Sequence, residues 1–170
     1  LEDYFLSIGE KKFKAKQIYD WLYIKNVNDF YKMTNINKSL QEKLSNTFSL
    51  EFIKIIKKQE NELTSKYLFL LLDGNYIEAV LMRHDYGISV CVSSQVGCNM
   101  GCKFCESGRL KKVRDLEAYE IVEQIILIQN DIKERIDSVV IMGIGEPFDN
   151  YDNIMKFIRI INNPFGINIG

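Results

Sequence analysis

Several features are missing from this sequence, and each absence excludes a class of protein. No apolar run approaches the ~20 residues of a membrane-spanning helix, because the longest, Tyr67 to Leu72, ends at Asp73. The first residues, Leu-Glu-Asp, are neither basic nor apolar, so no secretion signal is visible. Neither sign of charge is in excess, since the chain has 22 Lys and Arg against 23 Asp and Glu residues. A polybasic protein held to nucleic acid by charge alone is therefore excluded.

Cysteine is absent from all but one short segment of the chain. A disulfide framework in a secreted domain would spread its cysteines to join distant segments. Clustered thiols in a chain without a visible secretion signal instead indicate metal ligands or redox chemistry in a reducing cytoplasm. All of the cysteines lie within one stretch of fifteen residues, at Cys91, Cys98, Cys102 and Cys105.

The composition is that of a folded globular protein, with 46% apolar and 26% charged residues in a chain of 170. Apolar residues with helical spacing predict a helix over about 15–22. A second helix is predicted from Leu40 onwards, with Asn37 or Ser39 as its N-cap. No internal repeat or low-complexity tract interrupts this pattern.

Beyond residue 50 the period of the apolar residues changes to that of β-strands. Strand-like runs at 66–72 and 76–82 flank Asp73-Gly74-Asn75, which is typical of a hairpin turn. A further strand is predicted before them, over 52–56.

The last part of the chain alternates strands and helices. Strands are predicted at 88–93 and 138–142, and helices at 116–130 and around 154–161. This alternation predicts parallel βα units. Two such units cannot close a barrel, and the pattern is still running at Gly170, so we expect that the chain ends in the middle of a domain.

The segment 98–105 spaces three thiolates as C-x3-C-x2-C. Four thiolates would saturate a zinc ion or an iron–sulfur cubane, whereas three leave one iron of a cubane open to a ligand. Phe104 is expected to keep water from such a cluster. Zinc remains an alternative, with Cys91 or His84 as the fourth ligand.

Four segments of the chain carry a resemblance to a known family. The most specific is the octapeptide Cys91-Val-Ser-Ser-Gln-Val-Gly-Cys98. With the other segments, it resembles the radical S-adenosylmethionine (SAM) superfamily and, more closely, the RlmN/Cfr family of RNA adenine methyltransferases. The chain departs from the family pattern at Glu106 and Lys111, which bears on the substrate subtype. The other segments are Gly9 to Trp21, Arg114-Asp-Leu116 with Glu120-Ile-Val122, and Met142-Gly-Ile-Gly-Glu-Pro147 to Asn150.

The resemblance implies an α/β fold with an α+β N-terminal extension. Residues 1–50 would form a small helical domain that engages RNA, and residues 51–87 a β-hairpin extension. Residues 88–170 would form the first βα units of the radical SAM core, a partial (β/α)6 barrel that is incomplete in this chain.

The resemblance also implies two cofactors, a [4Fe-4S] cluster and SAM. The open iron binds the amino and carboxylate groups of SAM, and one electron releases a 5′-deoxyadenosyl radical. Gly145 and Glu146 match the position that binds SAM, where a glycine permits close backbone approach and a carboxylate can pair with an ammonium. An ordinary βα turn with a glutamate at the start of a helix is the alternative. The cluster ligands would be Cys98, Cys102 and Cys105.

Two further residues are implied to take part in catalysis. In the family, a cysteine first carries the methyl group, and a covalent protein–RNA adduct then forms. Cys91 matches the cysteine that resolves this adduct through a disulfide, and Glu78 matches the proton acceptor. The alternatives are a buried structural thiol and a solvent-facing strand glutamate. No cysteine follows Cys105, so the methyl-carrying cysteine is not in this chain.

The implied enzyme uses two SAM molecules to methylate C2 of adenine in 23S rRNA, with tRNA as a second candidate substrate. Alternatives are an adenine-C8 methyltransferase of the same family, a protein-modifying radical enzyme, and a non-catalytic zinc-stabilised nucleic-acid-binding module. The other partner of the implied enzyme would be an electron donor such as flavodoxin or ferredoxin. The implied location is the cytoplasm, without membrane association, and a monomer is the favoured oligomeric state. Two basic stretches are predicted either to contact RNA phosphates or to form solvated surface: Lys11, Lys12, Lys14, Lys16, Lys103, Arg109, Lys111, Lys112 and Arg114.

Overall fold

The computed structural model of the chain describes residues 1–50, 53–164 and 166–169. The chain divides into two compact units, Leu1–Glu51 with Pro164–Ile167 and Phe52–Asn163 with Asn168–Gly170. The domain boundaries expected from the sequence, after residues 50 and 87, stay predictions. No helix in the described ranges is long and apolar enough to cross a membrane.

Helices form most of the first unit. The helix predicted over 15–22 is confirmed, and the side chain of Asn37 caps the last helix by accepting a hydrogen bond from the Leu40 N–H at 2.8 Å. The first helix has only six residues, too few for a periodic signal, and was not predicted. The apolar faces of the helices meet around the buried side chains of Phe5 and Met33. The helices are α1 (Glu2–Ser7), α2 (Phe13–Tyr23) and α3 (Lys38–Thr47).

The described part of the second unit contains a five-stranded sheet and a separate pair of short strands. In chain order, the strands are β1 (Ile53–Glu60), β2 (Thr64–Leu71), β3 (Tyr76–His84), β4 (Gly87–Cys91), β5 (Gln95–Val96), β6 (Arg114–Asp115) and β7 (Ser138–Val140). The main sheet has the order β1-β2-β3-β4-β7. Its strands are antiparallel up to β4, whereas β4 and β7 are parallel. The strands β5 and β6 form an antiparallel pair.

The predicted hairpin is confirmed. Leu70 of β2 pairs with Tyr76 of β3, and the turn between the strands contains Gly74 with a φ of 83°, a value that favours glycine. The strand expected over 52–56 is β1, which begins at Ile53 and continues to Glu60. Residue 52 of that prediction lies outside the described residues.

Two helices complete the βα units of the second unit, α4 (Ala118–Ile132) and α5 (Tyr151–Ile161). The hydroxyl of Tyr67 in β2 donates a hydrogen bond to Asp131 of α4 at 2.8 Å, so α4 lies over the sheet face that carries Tyr67. The predicted parallel βα pattern and the mixed α/β fold class are confirmed. The strand expected at 138–142 is shorter than predicted, and its residues are half-buried.

Candidate functional site

The segments that follow β4 and β7 run side by side at the carboxyl edge of the sheet. The two strands are parallel neighbours, and Cys91 pairs with Val140 near their carboxyl ends. Beyond the strands, the N–H of Ser94 donates to the carbonyl of Ile144 at 2.9 Å. The cysteine octapeptide and the Gly-Ile-Gly-Glu motif, which are distant in sequence, therefore meet at one edge. Carboxyl ends of parallel strands are the usual place for ligands in α/β proteins.

Two glycines permit this close approach. A Cβ atom on Gly143 would lie 2.7 Å from the carbonyl oxygen of Val92, and one on Gly145 would lie 2.6 Å from the Cβ of Gln95. Gly145 also has a φ of 109°, which residues with a side chain rarely adopt. The packing of the turn thus requires glycine at both positions, and the role of Gly145 in binding SAM stays a prediction.

Glu146 occupies the end of this turn. Its N–H donates to the side-chain oxygen of Gln95 at 2.9 Å. One of its carboxylate oxygens accepts a hydrogen bond from the N–H of Phe148 at 3.0 Å and so caps the single turn of 3-10 helix over Pro147–Asn150. The helix-start arrangement considered from the sequence is therefore present, and the role of Glu146 toward SAM stays a prediction.

Buried amide side chains hold the end of β4 in place. The side chain of Gln124 accepts from the N–H of Ser93 at 2.9 Å and donates to its carbonyl at 3.1 Å. Asn150 donates to the carbonyls of Ser94 at 2.9 Å and Leu116 at 2.7 Å. Sequence reasoning did not assign this role to Gln124 or Asn150. The available signal was the run of three polar residues Ser93-Ser94-Gln95 after β4, where a buried strand would continue with apolar residues. Such a run needs polar partners, which Gln124 and Asn150 supply.

Cys91 ends β4 between the neighbouring strands β3 and β7, opposite Val80 and Val140. The thiol is half-buried, and this burial raises its pKa above the ordinary value, although a hydrogen bond from the backbone of Met142 works in the opposite direction. Burial thus favours the neutral thiol of Cys91, which lies beside the edge where the two motifs meet.

Backbone hydrogen bonds hold the cysteine loop 98–105 at its start and within the loop. The N–H of Cys98 donates to the carbonyl of Leu110 at 2.9 Å, and the N–H of Cys105 donates to the carbonyl of Cys102 at 3.0 Å. Phe104 does not shield this loop as predicted, because its side chain is 94% exposed. An aromatic ring that projects into solvent cannot exclude water from its neighbours.

All four cysteines of the chain are free thiols. Among the residues that the structure describes, no three His, Cys, Asp or Glu side chains are gathered where a metal ion could bind. The donor set nevertheless fits an iron–sulfur cluster, since it offers three soft thiolates within one eight-residue loop. Gly101 in this loop has a φ of 64° and open space on its side-chain face, which suits a loop that wraps around a ligand.

Glu78 lies on β3 on the same face of the sheet as Cys91. Cys91 is directly opposite Val80, and side chains two residues apart on a strand share a face, so Glu78 is a diagonal neighbour at about 7–8 Å. Its carboxylate forms an ion pair with the Nζ of Lys66 at 2.8 Å, with both side chains partly exposed. The strand register therefore places Glu78 and Cys91 on one face of the sheet, and their roles stay predictions.

Part of the second basic stretch is engaged within the chain. The guanidinium of Arg114 contacts both Glu120 and Asp73, and the Nζ of Lys112 lies 2.8 Å from Asp115. These cations stabilise the loop that leads into α4. The suggestion that Arg114 contacts RNA phosphates is therefore unsupported by its position.

His84 lies away from the thiols. It ends β3 opposite Gly87 at the start of β4, whereas Cys91 ends β4. Four residues of extended strand separate the two ends by about 13 Å. The imidazole stacks on Tyr86 and lies 2.9 Å from the hydroxyl of Ser89. This placement argues against His84 as a fourth ligand beside the cysteine loop.

Comparisons with known proteins agree with this arrangement. Residues 1–50 match the family model of the ribosomal RNA large subunit methyltransferase N-terminal domain, and residues 92–170 match that of the radical SAM superfamily. The probable dual-specificity RNA methyltransferase RlmN of Enterococcus faecalis is 54% identical over 176 residues, covering 100% of this chain and 49% of that protein. The protein of the same name from Caldanaerobacter subterraneus subsp. tengcongensis is 51% identical over 172 residues, covering 100% of this chain and 50% of that protein.

A solved structure shares the fold. The crystal structure of a radical SAM methyltransferase from Sphaerobacter thermophilus matches with a TM-score of 0.90 and 34% identity, over 99% of this chain and 51% of that one. The match confirms the predicted fold, in which the first βα units of a radical SAM core follow a helical region and a hairpin. The chain spans about half the length of the relatives it matches. The chain therefore belongs to the RlmN family of the radical SAM superfamily.

Proposed function

We propose that the complete protein methylates C2 of adenine in 23S rRNA, with tRNA as a second substrate, through a methyl-cysteine mechanism. The observation that carries this proposal is the meeting of the octapeptide that begins at Cys91 with the Gly145 turn, at the carboxyl edge of β4 and β7, where the chain also leads into the cysteine loop. The names of the relatives support an RNA substrate.

Three thiols would hold the cluster, and the Gly145 turn would hold SAM. In this proposal Cys98, Cys102 and Cys105 are the protein ligands of a [4Fe-4S] cluster. When bound, the cluster supplies the electron that cleaves SAM. Gly145 presents backbone groups to the amino acid part of SAM, and Glu146 offers a carboxylate oxygen to its ammonium.

Glu78 and Cys91 would act on the methylated base. Glu78 accepts the proton that the adenine carbon must lose, and its ion pair with the Nζ of Lys66 holds the carboxylate in position for this step. Cys91 attacks the sulfur of the methyl-carrying cysteine, and a disulfide forms as the bond between that sulfur and the carbon attached to the base breaks. The carbon takes the electron pair of the broken bond and the proton that Cys91 gives up, and so becomes the methyl group of the product. Burial, which raises the pKa of Cys91, disfavours the reactive thiolate in the resting protein.

RNA would be engaged by the helical domain 1–50 and by lysines of the basic stretches, through phosphate contacts. The target adenine must leave its stack to reach the sheet edge. An electron donor such as flavodoxin or ferredoxin and a reducing cytoplasmic location complete the proposal, since free thiols and a reduced cluster need both.

Anaerobic reconstitution of the complete protein tests this proposal. We expect about four irons and four sulfides per chain, with broad brown absorption, and 2-methyladenosine in RNA digests after addition of SAM and a reductant. Exchange of Cys98 for Ala should abolish the cluster. Exchange of Cys91 for Ala should keep the cluster and SAM cleavage but trap RNA on the protein.

Other results would contradict the proposal in distinguishable ways. Stoichiometric zinc without colour would support the zinc-stabilised binding module. Formation of 8-methyladenosine would support the C8 enzyme of the same family. Normal turnover of the Cys91→Ala variant would refute the role of Cys91 alone.

A further inference from the structure

The side chains of Ser93 and Gln95 link the end of β4 to the Gly145 turn. Both side chains are completely buried. Ser93 Oγ accepts a hydrogen bond from the N–H of Ile144 at 3.0 Å and donates one to the carbonyl of Glu78 at 2.6 Å. One hydroxyl thus fixes the spacing between the turn and the backbone of Glu78.

Gln95 likewise forms hydrogen bonds through both the oxygen and the NH₂ group of its side-chain amide. Its side-chain oxygen accepts from the N–H of Glu146 at 2.9 Å, and its NH₂ group donates to the carboxylate of Asp115 at 2.7 Å. Asp115 belongs to β6, which pairs with β5 and follows the cysteine loop. The amide therefore ties the Glu146 end of the turn to the segment that leaves the cysteine loop.

Only an amide satisfies both contacts of Gln95. A carboxylate at this position would face the carboxylate of Asp115 in a buried setting, and an apolar side chain would leave the Glu146 N–H without its partner. The aliphatic part of Gln95 also packs against Gly145, whose added Cβ would overlap it. The identity of the side chain is thus set by the geometry of the turn and not by burial alone.

We infer that Ser93 and Gln95 are positioning residues, which hold the Gly145–Glu146 turn in the geometry that binds the amino acid part of SAM. This inference rests on the proposed function, because it assumes that the turn binds SAM. Neither residue touches SAM in this assignment. Each acts through backbone N–H groups of the turn, Ser93 on Ile144 and Gln95 on Glu146.

The test compares SAM binding by variants of the reconstituted complete protein. Gln95→Met keeps the volume of the side chain but removes both hydrogen bonds, so we expect the Kd for SAM to rise about tenfold. Iron and sulfide content should stay at the parent level, and kcat at saturating SAM should change less than KM. SAM binding is measured by equilibrium dialysis with labelled SAM and by the change in the electron paramagnetic resonance spectrum of the reduced cluster.

A matched control separates positioning from general stability. Gln41 is also a buried glutamine, whose NH₂ group donates to the carbonyl of Met33 at 2.9 Å within the first unit. Gln41→Met should lower the thermal stability but leave the Kd for SAM unchanged. A Gln95→Met variant that is destabilised yet binds SAM as tightly as the parent would overturn the inference.

Ser93→Ala keeps the inference testable if Gln95→Met fails to fold. This small change removes only the hydroxyl bridge, and we expect a severalfold rise in the Kd for SAM with normal iron content. An unchanged Kd would overturn the inference. The methylation assay stays separate: a parent protein that binds SAM but methylates no adenine refutes the proposed function alone, and one that binds no SAM refutes both.

Discussion

Arg114 forms a two-point ion pair with Glu120, with Nη1–Oε2 and Nη2–Oε1 distances of 2.7 and 2.8 Å. The carboxylate of Glu120 is almost fully buried. It also accepts a hydrogen bond from the N–H of Glu117 at 2.9 Å, and this bond caps the N-terminal end of α4. The Nε of Arg114 donates to Asp73 in the β2–β3 turn at 2.6 Å. One guanidinium thus joins the hairpin, β6 and the start of α4.

Removal of this guanidinium should destabilise the second unit strongly. Arg114→Ala leaves the buried carboxylate of Glu120 without a counter-charge, and we expect the free energy of unfolding to fall by about 3–5 kcal/mol in urea titrations. Arg109→Ala is the control, because the pair of Arg109 with Glu106 is highly exposed and should contribute under about 0.5 kcal/mol. Equal losses for the two variants would contradict this role of Arg114.

Glu123 on α4 should make stability depend on pH. Burial raises its pKa from 4.5 to about 7, so the folded chain holds this proton more tightly than the unfolded chain does. The contribution of Glu123 to stability is complete below pH 4.5 and is lost as the pH rises to about 7. We expect Glu123→Gln to raise the free energy of unfolding at pH 8 by ~1–3 kcal/mol, and to change it little at pH 4.

Urea titrations at pH 4, 6 and 8 check the prediction for Glu123. Glu62→Gln serves as the control, since Glu62 is exposed between β1 and β2 and its exchange should change stability by under ~0.5 kcal/mol at each pH. An equal gain for Glu123→Gln at pH 4 and pH 8 would show that ionisation is not the cause.

The thiols should differ in reactivity when the protein is prepared without iron. Cys102 is exposed, whereas Cys91 is half-buried with a pKa raised by that burial. Because the thiolate is the reactive form, we expect iodoacetamide at pH 7.5 to label Cys102 at least tenfold faster than Cys91. Mass spectrometry of timed digests measures the order, and faster labelling of Cys91 would rule out the burial found for it. Denaturation in urea is the control and should equalise the rates.

The ammonium of Lys66 should hold the proposed proton acceptor in place. Lys66→Met removes the Nζ that lies 2.8 Å from the Glu78 carboxylate, so we expect the kcat of methylation to fall severalfold while the Kd for SAM stays unchanged. Lys66→Arg should restore most of the activity. Lys54→Met, at an exposed lysine of β1, is the matched control for loss of a positive charge. A kcat that Lys66→Met leaves unchanged would separate Lys66 from the function of Glu78.

Local signals in the sequence predicted most elements of the fold. The Asp73-Gly74-Asn75 turn and its flanking strands were identified because turn conformation and strand alternation are set by neighbouring residues. Short elements were missed because they contain too few residues to give such a local signal. The pair β5 and β6, of two residues each, exists only because the chain returns from the cysteine loop to hydrogen-bond with itself.

The candidate site was predicted less completely than the fold. The residue types of Cys91, Glu78 and the Gly145 turn were found from motifs, but the buried contacts of Ser93 and Gln95 were not. Burial and pairing depend on which distant segments meet, and no local pattern records that. The exposed ring of Phe104 shows the same limit, since its neighbours in sequence gave no measure of its exposure.

The sequence by itself determined the clustered thiols, the order of strands and helices, and the residues available for chemistry, because these follow from residue type and spacing along the chain. Tertiary structure decided that the cysteine octapeptide and the Gly145 turn lie side by side, that Arg114 is engaged by carboxylates, and that Glu78 and Cys91 share a face. These relations arise from the parallel pairing of β4 with β7 and the register of β3 with β4, which bring together groups that are distant along the chain.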